Sequence, residues 1–341
     1  MSYRICLLPG DGIGPEVIAS AEQVLRTLPL DLDFTYAEIG FGAYERHSTP
    51  LPDATLYEIS ASDSTLFGAV TTPPSLPGYF SPVVRMRQSL DLYANIRPCR
   101  TMPHPFSRPG IDLVIVRENT EGLYSGLERI ENEGSRAISE RIVTRHASER
   151  IIRKAFEIAR AENRSHVTVV HKANVLRQTC GLFRAVALGI APEYSEIHMH
   201  EMLVDNCAMQ LVRAPEQFEV IVTTNLFGDI LSDIASVLVG GLGVAYSGNI
   251  GEGVAVFEPV HGSAPDITGQ NKANPTATLL SAAMMLDYLG ESEYATHLRS
   301  AVEACIVKGM VTPDMGGSLT TDEMTQEIIR QSQTTQEEIN F

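Results

Sequence analysis

Ile5-Cys6-Leu7-Leu8-Pro9-Gly10-Asp11-Gly12-Ile13-Gly14-Pro15-Glu16 is the stretch from which the fold can be read. Four apolar residues in a row suit a strand buried on both faces, and the glycine-rich turn ends it. Pro15 then opens a helix, because the first N–H groups of a helix have no partner and proline has none to lose. Val17, Ile18, Ala21, Val24, Leu25 and Leu28 fall on one stripe of that helix. The progression repeats downstream: apolar runs at 113–116, 167–170 and 220–222 alternate with helical periods over 148–161, 229–239 and 274–289. Strands alternating with helices predict an α/β protein whose sheet is largely parallel. Between 125 and 145 a charged, glycine-containing stretch has neither period, and it reads as an excursion such as an arm or hairpin.

The 341 residues, 44% hydrophobic and 20% charged, are enough to bury a large core in one or two domains. A formal net charge of −16 argues against nucleic acid or an anionic membrane surface as partner, since both demand a basic face. A small anionic substrate needs local arginines or a cation to overcome that field. No apolar run approaches the ~20 residues of a membrane helix, and Met1-Ser2-Tyr3-Arg4 leads straight into a strand with no signal-peptide pattern, so a cytoplasmic protein is expected. Cys6, Cys99, Cys180, Cys207 and Cys305 are odd in number and without CxxC spacing, which predicts reduced, structural thiols.

Polar groups follow the apolar runs in a consistent way: Arg117-Glu118-Asn119-Thr120-Glu121-Gly122 after Val116, His171-Lys172-Ala173-Asn174 after Val170, and Thr223-Thr224-Asn225 with Gly228-Asp229 after Val222. The ligand crevice of an open α/β sheet lies beyond the carboxyl ends of its strands, where all three sets would fall. Asp229 and Asp233 are four apart on a helix, hence one turn apart on one face. Such a pair serves either as oxygen ligands for Mg²⁺ or Mn²⁺, with Asp205 as a third, or merely as helix-terminus charge. Arg87, Arg97 and Arg117 are candidates for a carboxylate clamp or for ordinary salt bridges. Lys172, after a buried strand, and Tyr124 are acid–base candidates with equally ordinary structural alternatives. The glycine turn at 10–14 has GxGxG spacing and no acidic ribose ligand about 20 residues on, so it fails as a Rossmann fingerprint.

Taken in order, Leu8 to Glu16, Leu90-Asp91-Leu92-Tyr93-Ala94-Asn95-Ile96-Arg97-Pro98, Val116 to Gly122, His171 to Asn174, Gly228-Asp229-Ile230-Leu231-Ser232-Asp233 and His261-Gly262-Ser263-Ala264-Pro265-Asp266 resemble the isocitrate, homoisocitrate and 3-isopropylmalate dehydrogenases. The resemblance to these β-decarboxylating dehydrogenases spans nearly the whole chain. It implies a non-Rossmann fold of two α/β domains sharing a mixed, largely parallel sheet: a large cofactor-binding domain from 1–97 and 241–341, and a small dimerisation and substrate domain from 98–240 with its arm near 125–145. It also implies a homodimer, or a higher oligomer, with shared sites. There Lys172 and Asp205 of one subunit meet Asp229 and Asp233 of the other around Mg²⁺ or Mn²⁺. By the same resemblance Tyr124 and Lys172 are the acid–base pair, and Arg87, Arg97 and Arg117 grip substrate carboxylates. NAD lies against Ile13, Thr72, Asn174, His261, Gly262, Ser263, Ala264, Asp266, Ile267 and Asn274. Relatives that use NADP carry lysine and tyrosine where this chain has Asp266-Ile267; an acidic side chain there accepts from free ribose hydroxyls and repels a 2′-phosphate. The substrate's third carbon should meet Ser81, Val84 and Arg85. The sequence Ser81-Pro82-Val83-Val84 resembles homoisocitrate enzymes, although bacterial ones place arginine at Val84. The activity implied is oxidative decarboxylation of homoisocitrate or isocitrate, with 3-isopropylmalate, or a non-catalytic regulatory subunit, as alternatives.

Overall fold

A computed structural model describes residues 2–73, 76 and 79–339, with side chains as far as residue 333. Its twelve strands, among the described residues, are β1 (Ser2–Gly10), β2 (Asp31–Tyr36), β3 (Ser64–Ala69), β4 (Ala94–Arg100), β5 (Asp112–Glu118), β6 (Glu128–Glu131), β7 (Arg136–Ser139), β8 (His166–His171), β9 (His198–Leu203), β10 (Val220–Thr223), β11 (Tyr246–Ile250) and β12 (Ala255–Pro259). The chain divides into two compact units: 1–90 with 102–107 and 240–341, and 91–101 with 108–239. We refer to these as the first and second units.

In the first unit the strands run in the order β2-β1-β3-β12-β11, parallel except for the β11–β12 pair. The helix Gly14–Leu25, with proline in its first turn, lays Val17, Ile18, Ala21, Val24 and Leu25 against β1 and β3; Leu28, expected on the same stripe, lies past the helix end but is still buried in the core. The helices Thr276–Tyr288, Ser292–Val307 and Thr321–Ile339 complete a core containing Ile5, Leu7, Leu66, Phe257, Leu279 and Leu298. Ten residues of the helix Thr276–Tyr288 are buried, the hydroxyl-bearing Thr276, Thr278 and Ser281 among them, so it is a core helix rather than an amphipathic surface one. Burying a leucine or isoleucine contributes about 1.5–3 kcal/mol, and this core holds the loops at the strand ends in place.

In the second unit the order is β4-β5-β10-β8-β9, parallel but for β4–β5. Val114–Val116, Val167–Val170 and Val220–Val222 are buried and lie side by side, with Arg117 level with Thr223 and Thr223 level with Val170. The polar sets that follow these three strands therefore leave one edge together. The 125–145 stretch forms the antiparallel hairpin β6–β7, turned through Asn132 (φ 51°), Glu133 (φ 54°) and Gly134 (φ 94°). All five cysteines are free and buried, and burial pushes the thiols of Cys6, Cys99, Cys207 and Cys305 up to about 12. Among the described residues no helix is long and apolar enough to cross a membrane.

Candidate active site

The second unit gathers its charged candidates around one carboxylate. Arg117, the last residue but one of β5, is 1% exposed. A guanidinium that deeply buried must find partners. Its Nε and Nη2 donate to Asn225 Oδ1 at 3.0 and 2.7 Å, and Nη1 donates to Asp229 Oδ1. Asn225 and Asp229 are one turn apart on the helix Asn225–Leu238. Gly228 lies between them because a Cβ there would stand 2.6 Å from Arg117 Cγ. Arg97, on β4, donates to Asn95 Oδ1 at 2.6 Å and to Ser232 Oγ at 2.5 Å, and pairs with Asp229 at 3.4 Å and Asp233 at 3.7 Å. The Tyr124 hydroxyl donates to Asp229 Oδ2 at 2.5 Å, with the Arg117 guanidinium 5.2 Å over its ring.

Two arginines and two aspartates cancel in formal charge, so this cluster alone has no surplus anion to attract a cation. Burial, then the hydrogen bond to Asp229 and its negative charge, raise the Tyr124 pKa against the opposing pull of Arg117. The phenol stays protonated. Burial also raises the Asp233 pKa, opposed by Arg97 and reinforced by Asp229. Asn225, Asn95 and Ser232 do essential holding work. In the sequence Asn225 stands out only as part of a strand-end set, and nothing in period or spacing marks the other two.

Lys172 and Asp205 form their own pair, Nζ donating to Oδ1 at 2.5 Å, and that bond holds the Asp205 carboxyl below its usual range. Among the described residues no three His, Cys, Asp or Glu side chains converge to hold an ion, so Asp205 does not join Asp229 and Asp233 within one chain. Asn174 is exposed on the turn after Lys172. This unit also exposes several large apolar side chains: Met209 and Val212 on the helix Val204–Arg213, Ile230 and Val237 on Asn225–Leu238, and Leu127 and Ile130 at the hairpin are each at least 50% exposed.

In the first unit the cofactor candidates sit on two loops tied through backbone. Asp11 N donates to Ala69 O at 2.7 Å and Ile13 N to Ser263 O at 2.9 Å. Gly12 has φ +61°, and a Cβ on it would lie 2.0 Å from Ser263 O, so only glycine allows this approach. Asp11 accepts from the backbone of Phe41, Gly42 and Thr71, which makes it a loop organiser. Ile13 packs with Val17, Ala273, Ala264 and Ile267, and Ser263 Oγ lies 2.7 Å from Thr71 Oγ1 beside exposed Thr72. Ala264 holds a left-handed conformation at φ 40°, strain of the kind that gathers at functional loops. His261 Nδ1 contacts Gly262 O at 3.0 Å, while its Nε2 is buried with no hydrogen-bond partner among the described residues. Burial lowers the His261 pKa, so the ring is neutral. Gly262 and Asp266 are exposed. Asn274 is buried, its Nδ2 donating to Asp314 at 3.0 Å and its Oδ1 accepting from Thr276 N at 3.0 Å.

The segment expected to read the substrate's third carbon begins the helix Pro82–Ser89. Ser81 is its N-cap, accepting from Val84 N at 3.4 Å. Arg85 is exposed and lies 4.9 Å over the Phe80 ring. Arg87 is buried, its Nη2 donating to Glu258 Oε1 at 2.7 Å, where Asn249 also donates at 2.8 Å. Glu258 was not foreseen; a glutamate in an apolar strand before Pro259 was the available signal.

Comparison with known proteins gives one consistent result. Residues 4–328 match the family model described as isocitrate/isopropylmalate dehydrogenase. The isocitrate/homoisocitrate dehydrogenase of Thermus thermophilus is 53% identical over 330 residues, 96% of this chain and 98% of that one. The 3-isopropylmalate dehydrogenase of Methanothermobacter thermautotrophicus is 48% identical over 330 residues, again covering 96% and 98%. Among solved structures, isocitrate dehydrogenase from Methylococcus capsulatus superposes with a TM-score of 0.94 at 45% identity, over 97% of this chain and 99% of that one.

Proposed function

The chain belongs to the isocitrate/isopropylmalate dehydrogenase family, and from that premise we propose that it catalyses the NAD-dependent, divalent-metal-dependent oxidative decarboxylation of homoisocitrate, isocitrate or both. The observation that carries the reading is the Arg97, Arg117, Tyr124 and Asp229 cluster, with Asp233 one turn on. It offers what a 2-hydroxy-3-carboxy acid needs: two buried guanidiniums for carboxylates, a protonated phenol, and carboxylate oxygens suited to Mg²⁺ or Mn²⁺. The donor set fits such an ion, and because the cluster is charge-neutral by itself, anionic substrate supplies the missing negative charge. A bound ion contributes Lewis-acid polarisation of the oxygen that passes from alcohol to ketone.

In this scheme Arg97, Arg117 and Arg87 orient the acid. Lys172 accepts the hydroxyl proton when the alcohol is oxidised, and a bound nicotinamide would serve as the hydride acceptor. Tyr124, kept protonated by its burial and by Asp229, delivers a proton to the substrate carbon vacated by carbon dioxide. The neutral His261 ring with its unpartnered buried Nε2, the exposed backbone at Gly262 and the shelf formed by Ile13 and Ile267 fit a dinucleotide. Asp266 favours NAD over NADP. For the substituent, Val84 offers an apolar wall, and Arg85 is the cation available to a distal carboxylate once it leaves Phe80. Burying that carboxylate without a cation costs several kcal/mol, more than the ~2 kcal/mol forfeited by exposing an isopropyl group, so one pocket discriminates strongly between the acids.

We also propose a homodimer with shared sites. Isolated two-stranded hairpins are marginally stable, and among the described residues β6–β7 pairs with no further strand, while Leu127, Ile130, Met209, Val212, Ile230 and Val237 are exposed in the same unit, features suited to a second copy. In such a dimer the partner subunit's Lys172 and the partner subunit's Asp205 complete the cluster. Steady-state kcat/KM for homoisocitrate, isocitrate and 3-isopropylmalate with NAD and Mg²⁺ tests the activity: reduction with the first or second is expected, and failure with all three refutes it. Mixing inactive Lys172→Met with inactive Asp229→Asn protein tests the sharing. Random exchange should restore about a quarter of wild-type activity through heterodimers, and no restoration after verified exchange overturns it.

A further inference from the structure

Asn274, assigned to the cofactor side by resemblance alone, has its amide committed at both ends. Oδ1 accepts from Thr276 N, one of the N–H groups that the start of the helix Thr276–Tyr288 leaves without a partner in the helix, and Nδ2 donates to Asp314 Oδ2 at 3.0 Å. Asp314, on the short turn Pro313–Met315, is itself anchored: Thr312 Oγ1 donates to its Oδ1 at 2.5 Å, and Thr312 is fully buried. The pair is backed by Gly243, where a Cβ would come within 2.7 Å of Asp314 Oδ2 and 3.1 Å of Asn274 Nδ2. A carboxylate is an unexpected choice here, because an exposed acid next to a site for an anionic dinucleotide adds repulsion. Asp314 also acts electrostatically on His261 on the other cofactor loop.

We propose that Asp314 is a positioning residue for the dinucleotide: through Asn274 it fixes the entry to the helix Thr276–Tyr288 and with it the shape of the cofactor face, without touching the reacting atoms. The inference rests on the reading of the first unit as the dinucleotide-binding one. The obvious control is the isosteric amide. In Asp314→Asn the Oδ can still accept from Asn274 while the new amide donates to Thr312 Oγ1, so geometry survives and charge is lost. In Asp314→Ala both hydrogen bonds go.

The experiment measures NAD binding to the full-length protein by titration calorimetry without acid, alongside kcat and both KM values. Asp314→Ala should weaken NAD about tenfold, the worth of one or two hydrogen bonds, with kcat and the KM for the acid within about twofold. Asp314→Asn should stay within about twofold of wild type, and Thr312→Val should move NAD affinity in the same direction as Asp314→Ala by a smaller factor. Equal NAD affinity in Asp314→Ala and wild type overturns the proposal. So does a parallel loss in kcat and acid KM, which marks a general structural defect, or an asparagine variant as weak as alanine. Wild-type protein that binds no dinucleotide refutes the underlying reading instead.

Discussion

The charged centre of the second unit and the loop pair of the first are assembled by different means. Arg97, Arg117, Tyr124 and Asp229 are drawn from two strands, a turn and a helix, and hold one another through side chains. The loops at 10–14 and 261–267 meet through backbone, Ile13 N to Ser263 O, with glycine making the approach possible. Charge has to be carried by side chains, so the first arrangement is open to single substitutions that change chemistry while sparing the scaffold. A face built from main chain has few side chains to lose, and its vulnerable positions are those where any Cβ collides. The contrast yields an expectation: variants in the second unit alter turnover, and variants in the first alter dinucleotide affinity or folding.

The largest effect is expected at Lys172. Lys172→Met removes the proposed base and should lower kcat by about 10³-fold, within the range for loss of a general acid or base, while NAD affinity measured without acid stays unchanged. Turnover near wild type would remove Lys172 from the scheme, and lost NAD binding would break the division between units. Tyr124→Phe comes next at about 10²-fold. Burial and the hydrogen bond to Asp229 raise the tyrosine's pKa, so its donor form persists to higher pH than that of an ordinary phenol. The log kcat profiles of wild type and Tyr124→Phe should therefore run parallel from pH 6 to 9, displaced by a constant. Convergence of the two curves at the alkaline end would show the phenol deprotonating within that range, against the geometry.

A smaller effect, read as stability, comes from Gly12. Gly12→Ala places a Cβ 2.0 Å from Ser263 O at a left-handed φ of +61°, and a cost of about 2 kcal/mol or more is expected, together with weaker NAD binding. Gly262→Ala lies in the partner loop with nothing within 4 Å of its Cβ, and should stay within ~0.5 kcal/mol in chemical denaturation. Equal costs at the two positions would mean that the loop contact is not what the glycine serves.

Strands and helices were legible in the sequence because their periods are local. The apolar run at 5–8 lies inside β1, and the helical stripe from Val17 to Leu28 follows Gly14–Leu25 as far as Leu25, with Leu28 three residues past the end of the helix. The charged candidates were nameable because arginine, aspartate and lysine at the ends of apolar runs are conspicuous. The holding contacts were not. Asn225 serving both Nε and Nη2 of Arg117 joins residues 108 apart, and Glu258 on Arg87 joins residues 171 apart. No period encodes such pairings, which depend on how strands are ordered in a sheet. Gly228 shows the same limit: a glycine in a helix reads as a weakness until Arg117 is seen to occupy the space.

The smallest effect concerns Asp266, and it tests whether the first unit uses any side-chain charge at all. Asp266 is exposed. Its repulsion toward a 2′-phosphate acts through water and salt, so removing the charge in Asp266→Asn should be worth only about 1 kcal/mol, or roughly fivefold in kcat/KM for NADP. NAD should change less, since asparagine can still hydrogen-bond ribose hydroxyls. The decisive feature is the salt dependence. With a Debye length of about 10 Å at 0.1 M and 3 Å at 1 M, the NADP gain should be clear at low ionic strength and largely vanish at high. A gain that persists in 1 M salt would assign discrimination to shape at Ile267 and Ala264. No gain at any ionic strength would leave the dinucleotide face, in keeping with its main-chain construction, without charge-based selection at this position.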